Sequence, residues 1–187
     1  MPPLGWKRLR PCAMIDLHKY RDIHSHQANL ALRGDTIVSI SPSEEMLVGG
    51  IYSVGIHPWD TITAPTAEMI ELLRHKASDS RVVAIGECGF DMLRGGSIEV
   101  QQAVFDIHTT LAEQLDKPLI IHAVRADHLI LAWFKRLRPS VPWIIHGFRG
   151  SQRRAEALLR AGLYLSININ HPLNYPTPAE RTFFETD

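Results

Sequence analysis

Short apolar runs recur along the chain, and most end in a polar residue of a chemically useful kind. The runs VVAIGE, PLIIH and PWIIH are almost continuously apolar. Strands buried on both faces read that way, as in parallel sheets covered by helices. The pattern predicts strands over 20–24, 36–41, 51–56, 81–87, 118–122, 142–146, 163–168 and 181–187. Helical periodicity lies between several of them. Over 67–77 Ile70, Leu73 and Ala77 form one stripe, and Leu129, Ile130, Trp133 and Leu137 do the same over 126–137. Ser97 is the expected N-cap of a helix burying Val100, Val104, Ile107, Leu111 and Leu115. A helix over 152–161 is expected to stop at Gly162.

Eight strands with helical crossovers predict an α/β fold, a (β/α)8 TIM-type barrel. Between His26 and Thr36, and again between Ser41 and Ile51, there is barely space for the roughly 10–12 residues of a parallel crossover. The sequence stops at its eighth strand. The expectation is therefore a barrel trimmed in its early β/α units and lacking the usual C-terminal helix. The stretch 1–19, with Lys7, Arg8 and Arg10, reads as a basic N-terminal extension, and 20–187 as one barrel domain.

Composition narrows the function. The 187 residues carry 20 basic and 20 acidic side chains, so no global field draws in a polyanion. Mean hydropathy is −0.07 and no apolar run approaches membrane length, which predicts no membrane association. Two cysteines, Cys12 and Cys88, do not make a disulfide framework and suit a reducing, cytoplasmic setting. Ten histidines are conspicuous.

Several of them fall at predicted strand ends: His24 and His26 at the first, His57 at the third, His122 at the fifth and His146 at the sixth. Glu87 ends the fourth strand and Asp187 the eighth. In a parallel barrel these ends converge on one face. Imidazole and carboxylate ligate divalent metals, and residues two apart on a strand, such as His24 and His26, point to one side. A carboxylate at Glu87 can bridge two cations. Asp91 reads as a hydrogen-bond acceptor behind the ligands. His18, His75, His108, His128 and His171 lack this context, and His108 reads as a surface or packing residue.

Taken in order, DIHSH, SVGIHPW, AIGECGFD, PLIIHAVRA, WIIHGFRGS and FFETD resemble the TatD family of metal-dependent deoxyribonucleases. The resemblance implies two divalent ions (Mg, Mn or Zn). It places one on His24, His26, Glu87 and Asp187 and the other on Glu87, His122 and His146, with Asp187 orienting the attacking water. His57 is expected to lean into the site without binding metal. The implied reaction is phosphodiester cleavage with a two-metal-activated water.

Arg125 and Arg149, just beyond strands five and six, are candidates to grip phosphate. Arg149, Arg153, Arg154 and Arg160 form a local cationic segment, and Trp59 or Phe148 could stack on bases. DNA ends, single strands or a small phosphodiester are the expected substrates. An amide, ester or small phosphoester hydrolase of a related barrel class, and a catalytically silent remnant, are the alternatives.

Overall fold

Eight strands run parallel in the order of the chain, β1-β2-β3-β4-β5-β6-β7-β8, as a computed structural model describing residues 16–187 shows. They are β1 Asp22–Ser25, β2 Thr36–Ile40, β3 Tyr52–Val54, β4 Val82–Asp91, β5 Leu119–Val124, β6 Trp143–Ile145, β7 Tyr164–Asn168 and β8 Thr182–Glu185. Each expected strand is present. The largest departure is β4, which continues four residues past Glu87 and pairs with β5 as far as Asp91↔Val124.

Among the described residues four α-helices pack outside the sheet: α1 Ala67–Ala77, α2 Ile98–Leu115, α3 Asp127–Leu137 and α4 Gln152–Ala161. The β1–β2 link holds only a 3-10 turn, Ala28–Arg33, and the β2–β3 link has no helix. The early crossovers are as short as the spacing requires. Ser97 caps α2 by accepting the Val100 N–H, and Gly162 ends α4 with φ 108°.

The buried stripe of α2 is rotated from the expected one. Its inner face is Gln101, Val104, Phe105, His108, Leu111 and Ala112, while Val100, Ile107 and Leu115 lie half-buried at the edges. Two polar residues explain the rotation, because each has a full set of partners inside. Gln101 accepts the Asp91 N–H and donates to the carbonyls of Asp91, Arg94 and Gly96. Of the two expectations for His108, surface or packing, the second holds, for it is fully buried. Its Nε2 accepts the Ile56 N–H at 2.9 Å, so Nδ1 carries the proton given to the Val104 carbonyl at 2.8 Å.

One apolar cluster fills the space between sheet and helices, with Phe90, Phe105, Leu119, Ile130 and Trp143 among its members. A second joins Leu17, Tyr20, Ile23, Ile37, Ile144 and Phe183. Because β2 and β6 are far apart in strand order, Ile37 and Ile144 meet across the barrel interior. Leu17 belongs to this cluster, so the packed chain begins before Tyr20; the basic stretch containing Lys7, Arg8 and Arg10 lies outside the described residues. Among the described residues no backbone ladder joins β8 to β1. Side chains close that seam: Asp22 accepts the Thr186 N–H at 3.2 Å and the Thr186 hydroxyl.

Candidate metal centre

Glu87 is not a loop carboxylate at a strand end. It sits within β4, where the register against β5 shifts between Ile85 and Cys88. Such an extra residue re-aims a side chain. The neighbouring glycines permit it: a Cβ on Gly55 would run into the Glu87 carbonyl, and one on Gly89 into the His122 carbonyl. The AIGECG sequence thus lets three backbones crowd together while the carboxylate turns into the barrel mouth.

The two oxygens of Glu87 face different partners. Oε2 lies 3.2 Å from His24 Nε2 and 3.3 Å from His26 Nε2. The same two nitrogens are 3.7 and 3.4 Å from Asp187 Oδ1. Oε1 lies 2.7 Å from His122 Nδ1, 2.7 Å from His146 Nε2 and 2.9 Å from His57 Nε2. All six expected ligands therefore meet at one rim, in two sets that share Glu87.

The chemistry of these donors suits divalent cations. Three imidazole nitrogens converge on the single oxygen Oε1. His57 Nδ1 accepts the Trp59 N–H, so its Nε2 carries a proton and donates to Glu87. His122 Nε2 is 3.2 Å from Asp91 Oδ2, a pure acceptor, which leaves His122 Nδ1 as a lone pair aimed at Oε1. Either a second proton on His122 or a metal ion must lie between two such acceptors. His24 is fully buried and neither ring nitrogen has a hydrogen-bond partner: Nε2 is close to Glu87 but off the hydrogen-bonding direction. Leaving such a group unpaired costs about 1–3 kcal/mol, which coordination would recover.

Electrostatics sets the charge of each group. Burial pushes the Glu87 carboxyl up, but the charge of His146 and the imidazoles crowded around it overcome this and hold Glu87 ionised. Burial, with His146 beside it, pushes His24 down, which keeps the ring neutral and one of its nitrogens free to bind. For His146 burial is outweighed by Glu87 and Glu185, and its pKa rises well above the usual value.

Glu185, which the sequence reading does not single out, is completely buried behind His146. Its Oε1 is 3.7 Å from His146 Nδ1 and accepts the Gly147 N–H at 2.8 Å. At that separation the contact is one of charge, and the carboxylate steadies the imidazole electrostatically. Its alignment two residues before Asp187 is the signal that was available. Asp22 is a second such residue: besides Thr186 it accepts the His24 N–H at 3.2 Å, tying the backbones of two predicted ligand segments together. Asn168 holds the Asp187 carbonyl at 2.7 Å.

A cavity of about 430 Å³ opens onto the cluster, lined by His26, Glu87, His122, His146 and Asp187 and by residues of the β2 and β3 loops. Trp59 stands at its mouth, 43% exposed, its indole N–H donated to Asp91 Oδ2 at 2.6 Å. Phe148 is 3% exposed and packs in the core, so it offers no stacking face. Arg125 and Arg149 are exposed on the loops after β5 and β6 but do not line the cavity. The cationic segment is partly neutralised, since Arg154 pairs with Asp127 at 2.6 Å and Arg160 with Glu156 at 3.3 Å.

Comparison with known proteins identifies the family. Residues 33–187 match the family model described as TatD related DNase. The 3'-5' ssDNA/RNA exonuclease TatD of Edwardsiella piscicida is 34% identical over 153 residues, covering 74% of this chain and 55% of that protein. Its counterpart in Pantoea sp. (strain At-9b) is 34% identical over 150 residues, covering 72% and 56%. The chain spans about half the length of the curated relatives it matches. Among solved structures, the TatD homolog YJJV from Escherichia coli k12 superposes with a TM-score of 0.72 at 22% identity, over 92% of this chain and 80% of that one. A TatD family hydrolase from Entamoeba histolytica gives 0.68 at 16% identity, over 89% and 73%. Both share the fold. With most of its length matched by the family model, the chain belongs to the TatD related DNase family.

Proposed function

We propose that this chain hydrolyses phosphodiester bonds at the ends of single-stranded nucleic acid, removing nucleotides in the 3'-5' direction as its named relatives do. The observation that carries the reading is the division of Glu87 between two donor sets, Oε2 toward His24 and His26 and Oε1 toward His122 and His146. His24, His26, Glu87 and Asp187 would hold one divalent ion, and Glu87, His122 and His146 a second. When bound, such ions lower the pKa of water and neutralise phosphate oxygens.

The chain's own groups do the rest. Asp187 lines the cavity with its carboxylate one-third exposed, placed to take a proton from an attacking water. His57 steadies Glu87 by donating to Oε1, and Asp91 fixes the His122 tautomer. Arg125 and Arg149, on the β5–β6 side of the rim, would receive the phosphates of the rest of the strand.

Metal content and nuclease assays on the protein and on Glu87→Ala test this. The expected result is metal in the first only, with release of mononucleotides that falls as salt rises. Turnover of an uncharged amide, with no action on phosphodiesters, would overturn it.

A further inference from the structure

The cavity beside the cluster is electrically one-sided. Its far wall comes from the end of β2 and the loops after β2 and β3 and carries Ser39, Ser41, Glu44, Trp59 and Asp60; no lysine or arginine lines it among the described residues. Arg125 and Arg149 follow β5 and β6. Strand order in the barrel equals chain order, so the acidic loops and these two cations stand at separated parts of the rim, with Glu87 of β4 between them. Arg94 lies over the Trp59 ring at 4.6 Å but outside the cavity lining.

We infer that this wall is a subsite for the terminal nucleoside with a free hydroxyl, and that it discriminates against ends that carry a phosphate. The inference rests on the phosphodiesterase reading above and adds the side on which the end sits. Phosphates of the continuing strand belong with the arginines. The space left beyond the scissile bond is bounded by two carboxylates, two hydroxyls and an indole. Carboxylates accept hydrogen bonds from a sugar hydroxyl and repel a phosphate dianion. Trp59, held in place by Asp91, offers an amphipathic edge or face to the base without preference for its identity. A cavity of about 430 Å³ is of the size that small ligands occupy.

The test uses two otherwise identical single-stranded oligonucleotides, one ending in a 3'-hydroxyl and one in a 3'-phosphate. The first should be shortened at least tenfold faster. The ratio should shrink at high salt, and also in the double variant Glu44→Gln, Asp60→Asn. Equal rates on both ends would overturn the inference and leave the phosphodiesterase reading intact. Should neither end be cut, that reading falls. Fluorescence anisotropy of the same two oligonucleotides, with calcium as the only divalent ion, then still decides the subsite: tighter binding of the hydroxyl end supports it, and equal affinity overturns it.

Discussion

A single carboxylate, Glu87, meets five histidines, and every other polar group of the mouth is arranged around that fact. The six expected ligands were legible because each stands at or near the close of an apolar run, where a parallel barrel gathers its functional groups. Residues whose partners exist only after folding were not. Glu185 reads as one more acid near the end of the sequence until His146 and the Gly147 N–H are seen against it. Replacing it by glutamine keeps an acceptor for Gly147 but removes the charge that steadies the imidazole. Glu185→Gln should weaken divalent-metal affinity by about 10–100-fold, read by calorimetric titration, with little change in the far-ultraviolet circular dichroism.

At the level of the elements, periodicity located α2 but set its face about one residue off. The reason is that hydrophobic spacing ignores polar side chains that find complete partners inside, as Gln101 and His108 do. Likewise β4 is expected to stop at Glu87, where the apolar run VVAIG ends; the register shift that keeps the strand going is a tertiary feature. Buried His108 has its pKa pushed down to about 4 by the loss of solvent. The sign follows directly. Above the ordinary value of 6.5 neither folded nor unfolded His108 is charged; between 6.5 and 4 the unfolded chain takes up a proton that the native one refuses. Stability should therefore fall on acidification through that window, by up to about 3 kcal/mol from this group. Thermal melts of the protein and of His108→Gln across pH 4 to 7 measure it, and the variant should show the flatter profile.

Eight runs of strand-forming sequence were enough to specify the barrel as a whole. How a chain with such short β1–β2 and β2–β3 links closes was not legible, because closure depends on side chains from opposite ends of the sequence. Asp22 is the centre of that closure, and burial pushes its own carboxyl up. Removing it in Asp22→Ala strips acceptors from Thr186 and from the His24 N–H. At about 1 kcal/mol or more for each of the three donors left unpaired, and about 2–4 °C per kcal/mol for a chain of this length, the melting temperature should drop by at least about 6 °C. Asp22→Asn, which retains acceptor capacity, should recover much of the difference.

That fastening of the first and last staves has a mechanical corollary. His24 and His26 stand on one side of the seam, Asp187 on the other, so a cation gripped by all three is a buckle on a hoop. Saturation at a hundredfold excess over Kd is worth about 2.7 kcal/mol. Chelation should therefore lower the melting temperature by roughly 5–10 °C, and amide exchange should quicken first along β1 and β8, with the strands on the far side of the barrel keeping their protection.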